Sequence, residues 1–318
     1  MDNLINFALH EEFIKLESIG SRASKLEEIK KLLDWSKFLL LFPEKESTRG
    51  RPSYEKILMI RLLLLQNWYG ISDEELEFQV KDRVSFRSFL DFPKSIPDYS
   101  TVWRFRDELA EDDIIEKIWV ELQRQIEEKN ISVKKGSIQD ASFIHADPGK
   151  QKKADEPRGR EAKTSRSKDG TWTKKGKKSY FGYKQHIKVQ KGSKIIKEIA
   201  VTTAKTHDGT IDLANPNDLI YKDRGYTGIK TKAKGDGTMK RGKLDIHQQR
   251  RNKRISKKRA EGEHPFGTMK RCLHAGKTRL TTIYRVYIQQ IFVCTAYNLH
   301  RLLFLLKKPL SDSSHQPT

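Results

Sequence analysis

Leu219-Ile220-Tyr221-Lys222-Asp223-Arg224-Gly225-Tyr226 is the stretch whose reading decides the class of fold. Its apolar start reads as a short strand over Leu219 to Lys222, ending at Asp223. Strand C-termini in α/β sheets are where ligands and chemistry gather. Upstream, Ile138 to Ile144 reads as another strand and holds Asp140 inside it. Aspartate is disfavoured in strand interiors, so Asp140 needs a reason to be there. Gly182 to Gln190 and Lys194 to Thr203 read as two strands joined by a Lys191-Gly192-Ser193 hairpin turn. From Glu263 onward the chain reads as helical, and Ile283 to Leu306 as a long apolar helix. Strands followed by helices predict an α/β fold, a sheet with helices packed on it.

Residues 1 to about 130 read as helical. Leu26, Ile29, Leu32, Leu33 and Leu40 recur at helical spacing. Gly50-Arg51-Pro52-Ser53 breaks the pattern, and Ser53 is a candidate cap for a helix from Ile57 to Trp68 that Gly70 ends. Ser72 with Glu75 forms a capping box. Asp98-Tyr99-Ser100-Thr101 is a second cap, for a helix through Trp103, Phe105 and Leu109 expected to run to Glu128. Short helices between tight turns suit a DNA-binding domain and an ordinary helical bundle equally.

The chain of 318 residues has a net charge of +21, unevenly spread. Residues 149–178 carry 12 Lys/Arg against 4 Asp/Glu, and residues 229–259 carry 13 against 2. A near-neutral scaffold therefore carries two basic segments, both expected to be loops, with 149–178 an insertion after the first strand. Such density attracts polyanions. Neither segment has the apolar face of a membrane helix, which favours nucleic acid over an anionic membrane. Cys272 and Cys294 form no metal-ligand spacing, and the acidic N-terminus lacks a basic leader, so a cytoplasmic protein is expected.

Three acids stand out: Asp140, Asp223, and Glu263 in Glu263-His264-Pro265-Phe266-Gly267. Singly, each has a structural explanation as a strand, turn or helix-start residue. Beside a polyanion-seeking charge pattern they suggest phosphodiester chemistry. Two hard cations held by carboxylates activate an attacking oxygen and stabilise a leaving one. Pro265 suits a helix's first turn, so Glu263 is expected at a helix start and Arg259 in the preceding loop. Glu261 is the nearby rival for the third acid.

Several ordered motifs resemble the DDE transposases of bacterial insertion sequences, in particular the insertion sequence five family. They are Gly50-Arg51-Pro52, Trp68-Tyr69-Gly70-Ile71-Ser72-Asp73, Ile96-Pro97-Asp98-Tyr99-Ser100-Thr101, Asp140-Ala141-Ser142, Gly182-Tyr183-Lys184 with His186, His207-Asp208, Asp223-Arg224-Gly225-Tyr226, Glu263-His264-Pro265-Phe266-Gly267 with Lys270-Arg271, and Tyr297-Asn298-Leu299 with Arg301. The resemblance spans roughly residues 50–305. It implies an RNase H-like mixed-sheet catalytic domain over 131–308, an all-helical DNA-binding and dimerisation domain over 1–130, and a tail over 309–318. It implies that Asp140, Asp223 and Glu263 are catalytic and hold two Mg²⁺ ions, with Mn²⁺ able to substitute. Related enzymes carry a Tyr, Arg, Glu, Lys signature around the third acid. Arg259, Glu263 and Lys270 fit its spacing, while Ser256 stands in place of the tyrosine.

Arg259, Lys270, Lys184, His186, Arg254 and Arg271 are the candidate DNA contacts. Trp172 is a candidate for stacking on an unpaired base, His264 for phosphate contact or proton transfer, and Arg104 and Arg106 for phosphate contact. The expected activity is cleavage at insertion-sequence ends and transfer of the freed 3′-OH into target DNA, by a homodimer on double-stranded DNA. A transposase-derived nuclease and a silent DNA-binding protein are the alternatives.

Overall fold

The computed structural model of the chain describes residues 21–43, 52–110, 113–131, 136–149 and 169–307. Among the described residues seven helices come first: α1 (Ser21–Leu32), α2 (Ser36–Leu39), α3 (Lys56–Tyr69), α4 (Asp73–Asp82), α5 (Val84–Phe89), α6 (Tyr99–Glu108) and α7 (Ile114–Glu128). Leu62, Leu63, Leu64 and Leu65 are all buried, so α3 is covered on every side and runs through the core. Gly70 closes it in the left-handed conformation (φ 64°), where a Cβ would also lie 2.7 Å from His274. Ser72 Oγ accepts from Glu75 N (3.2 Å) and Asp98 Oδ1 from Thr101 N (2.6 Å), so both expected caps form.

Three expectations fail in this region. Ser53 caps nothing, because α3 starts at Lys56 with Glu55 as a cap residue that makes no side-chain bond. The helix from Tyr99 stops at Glu108, and Asp113, at φ 53°, turns the chain into a separate α7. Arg106 is buried: its guanidinium pairs with Asp73 and donates to Gln66 Oε1 (2.9 Å), leaving nothing for phosphate. Gly50, Arg51 and the 309–318 tail lie outside the described residues.

The sheet contains β1 (Ser137–Ala146), β2 (Thr171–Lys175), β3 (Lys178–Gln190), β4 (Ile196–Thr203), β5 (Leu219–Tyr221), β6 (Gly235–Asp236) and β7 (Lys277–Thr278). Its order is β2-β3-β1-β5-β6, with β4 also on β3 and β7 also on β1. β1 and β3 are antiparallel, β1 and β5 parallel, which gives the expected mixed sheet. The β3–β4 hairpin forms as expected, but its connection runs on past Lys191-Gly192-Ser193 through Lys194 (φ 62°), so β4 opens at Ile196 rather than Lys194. The other edge of β1 is shared: β5 pairs with Ser137 and Ile138, and β7 with His145 and Ala146. Among the described residues no strand covers that edge over 139–144.

Two long helices, α8 (Ile246–Cys272) and α9 (Ile283–Lys307), complete the described fold. α9 buries Ile288, Ile291, Phe292 and Leu299 in one core with the α3 leucines and with Ile187 and Val189 of β3. The helical region and the sheet thus share apolar packing. Among the described residues no helix is long and apolar enough to cross a membrane.

α8 overturns two expectations. Residues 246–259 of the second basic segment are helix, not loop, because Asp245 caps them (Oδ1 accepts from Gln248 N, 2.7 Å) and Gln, Arg and Lys are good helix formers. Pro265 lies inside the helix, so Glu263 is mid-helix and Arg259 is helical too. Proline costs a backbone hydrogen bond there. Burial of Ile255, Gly262, Phe266 and Met269 on both sides of it holds the helix through. In the first basic segment Thr171–Lys175 form β2, while residues 150–168 lie outside the described residues.

Candidate active site

The register places Asp140 and Asp223 side by side. Ile138 pairs with Tyr221 across the parallel β1–β5 contact, and each aspartate lies two residues further on. Adjacent strands lie about 5 Å apart, so the two carboxylates share a neighbourhood. Asp223 is held by its own turn: Oδ1 accepts from Gly225 N (2.8 Å), capping the short 3₁₀ turn Arg224–Tyr226. Just before it, Lys222 is buried and paired with Asp212 (2.6 Å), which also accepts from Lys232 N (2.7 Å). That pair anchors the loop carrying Asp223.

Asp140 Oδ1 accepts from Ala141 N (2.9 Å) and Oδ2 from Arg259 Nη2 (3.0 Å). Burial pushes the Asp140 carboxyl above the usual carboxylate range. Arg259 and the Ala141 N–H oppose this, while Asp223 and Asp208 add to it. Arg259 Nε is buried with no acceptor among the described residues, which leaves the guanidinium a free donor.

α8 lies on the sheet face from which Ile138 and Asp140 project. Gly262 makes the approach possible, since a Cβ there would lie 2.7 Å from Ile138 Cγ2. Ile255 packs with Ile138, Tyr221 and Met239. At about 100° per residue, Ser256, Arg259, Glu263 and Lys270 fall within an arc of about 60° on one helix face. Glu263 is exposed one turn beyond Arg259. Arg254 and Arg271 are exposed as well, but turned from the middle of that face by about 170° and 90°. Glu261, the other acid of this stretch, accepts from Gly192 N (2.8 Å) at the β3–β4 hairpin.

The donors are hard carboxylate oxygens, which suit a hard divalent cation at Asp140 and Asp223. Among the described residues no three His, Cys, Asp or Glu side chains form a ready metal-binding group.

One expected DNA contact is corrected, and a second is engaged by partners within the protein. Asp140 pairs with Ile187, so Lys184 and His186 alternate to the opposite sheet face. His186 is 0% exposed with Nε2 2.8 Å from Thr202 Oγ1, and offers no surface to DNA. Lys184 is held internally, donating to the Thr206 carbonyl (2.7 Å) and pairing with Asp208 (2.9 Å). Trp172 packs on Phe181 (5.3 Å between ring centroids). His264 faces the Tyr297 hydroxyl (3.3 Å), and burial, with Lys194 and Arg301 adding, lowers its pKa.

Two neighbours escaped the site assignment made from sequence. Asp208 presses on Asp140, and Tyr226 is buried with its hydroxyl beside the Gln139 side chain. Burial first, then the fields of Asp208, Asp140 and Asp223, push the Tyr226 hydroxyl pKa far up. Both residues sit in motifs the sequence displays, His207-Asp208 and Asp223-Arg224-Gly225-Tyr226, but nothing in spacing alone gave them a place beside Asp140.

Comparison with protein families gives two matches. Residues 132–299 match the Transposase DDE domain, and residues 14–108 match the Transposase domain (DUF772). No solved structure matches the chain. The first match covers more than half of the chain and contains the paired aspartates, Arg259 and the Glu263 face of α8. The chain therefore belongs to the transposase DDE domain family, whose members act in DNA transposition.

Proposed function

We propose that the protein cleaves DNA at the ends of an insertion sequence of the insertion sequence five type and joins the freed 3′-OH to target DNA. The observation that carries this reading is Asp140 held by Arg259 of α8, two residues beyond the Ile138–Tyr221 pair from which Asp223 is equally distant along β5. Asp140, Asp223 and Glu263 would hold two divalent ions, Mg²⁺ with Mn²⁺ able to substitute. Bound there, such ions supply charge neutralisation for the attacking and leaving oxygens. Arg259, already beside Asp140 and with a free buried Nε, turns its guanidinium to the scissile phosphate. Lys270, on the same helix face, holds a neighbouring phosphate. Water attacks first and the liberated 3′-OH second, at the same acids.

The helical region over 1–130 grips the element end, and two copies bring two ends together. The basic residues of α8, including Arg254 and Arg271, steer double-stranded DNA toward the acids. The test is an end-labelled duplex carrying the element's terminal repeat, incubated with protein and Mg²⁺, Mn²⁺ or EDTA. A nick with a 3′-OH and a joined product, both lost in EDTA, are expected. Nicking without joining marks a nuclease instead, and binding without either marks a silent DNA-binding protein.

A further inference from the structure

Beside the acids, further along β1 from Asp140, lies a second feature. Phe143 and His145 alternate to one side of β1, and Tyr180 of β3 joins them. The ring centroids lie 4.7 Å (Phe143–His145), 5.7 Å (Phe143–Tyr180) and 5.5 Å (His145–Tyr180) apart. These rings form one wall of a cleft of about 400 Å³. Lys174 and Lys175 of β2, Lys184, Asp208 and Lys270 of α8 line the rest, with Ala141 and Ser142 leading directly from Asp140.

The charge balance of the cleft is one-sided. Its one lining carboxylate, Asp208, is paired with Lys184. Lys174, Lys175 and Lys270 have no acidic partner among the described residues. Burial and the field of Lys175 pull the Lys270 ammonium below its ordinary pKa, and burial with Lys270 and Lys277 does the same to His145. An anion is wanted there, and so is a flat apolar face for the rings.

Duplex backbone supplies phosphates but keeps its base faces stacked away from protein. An unpaired nucleotide supplies both at once, and aromatic side chains with lysines are the usual means of holding one. We propose that this cleft receives one unpaired nucleotide of the DNA held at the acids, its base against Tyr180, His145 and Phe143 and its phosphate on Lys174, Lys175 and Lys270. The proposal rests on the DNA-processing reading of the adjacent site. It also gives β2, and with it part of the first basic segment, a task.

The test uses the full chain in EDTA, so that cleavage does not intervene. Two fluorescein-labelled duplexes are compared, one fully paired and one carrying a single bulged 2-aminopurine. The expected result is about tenfold tighter binding of the bulged duplex, with a change in 2-aminopurine emission on binding. Tyr180→Leu, which keeps an apolar side chain, and His145→Ala should each reduce that preference while leaving affinity for the paired duplex unchanged. Equal binding of both duplexes by the wild type, or a full preference in Tyr180→Leu, overturns this proposal alone. Binding of neither duplex overturns the DNA reading and this proposal with it.

Discussion

Asp140 occupies a place that strand propensity argues against, and the structure supplies the reason: it faces Arg259 and shares a neighbourhood with Asp223. On the proposed function, Arg259→Ala should reduce nicking on the order of 10²-fold, the scale for losing one group that stabilises developing charge. Single-turnover rates check this, with circular dichroism confirming that the variant folds. His186 yields a separate prediction about stability. Burial, opposed by Asp208 and assisted by Lys184, lowers its pKa from 6.5 to about 4. Between those values the unfolded chain binds a proton that the folded chain does not. Stability therefore rises with pH across that window and is lost as pH falls through it, by about 3 kcal/mol in all. Thermal melts from pH 4 to 7 should show the advantage of wild type over His186→Gln shrinking as pH falls. A constant difference would contradict the assignment.

At the scale of elements, the contact between α8 and β1 sets the geometry of the site. Gly262→Ala forces a methyl group to within 2.7 Å of Ile138 Cγ2. The expected cost is about 1–3 kcal/mol, with a loss of nicking as α8 lifts from the aspartates. Ile138→Ala should recover part of that loss, so the double variant costs less than the sum of the two single ones, as chemical denaturation would show. Strict additivity would mean that the two residues do not meet.

Much at this scale was legible. The strand holding Asp140, the β3–β4 hairpin and the Ser72 and Asp98 caps all follow from local rules. Pro265 misled because a helix-start rule knows nothing of the packing that carries α8 past it. β2 was hidden inside a lysine-rich run. The burial of His186 was hidden because β3 is covered on both faces, which erases the alternation that marks a half-exposed strand.

For the whole molecule, the charge distribution sets affinity and the acids set chemistry, and the two separate experimentally. Lys253, Arg254 and Lys257 are exposed on the basic half of α8. Changing all three to Gln should flatten the plot of log affinity for duplex DNA against log salt, by about 0.9 for each phosphate that is no longer neutralised. An unchanged slope would place the DNA elsewhere. The central claim is that Asp140, Asp223 and Glu263 act together. It is tested most directly by cleavage of a labelled terminal-repeat duplex in Mg²⁺ by wild type, Asp140→Asn, Asp223→Asn and Glu263→Gln at matched DNA occupancy. The account predicts that each variant binds the duplex like wild type yet loses both nicking and joining. Undiminished cleavage by any one of the three would contradict it.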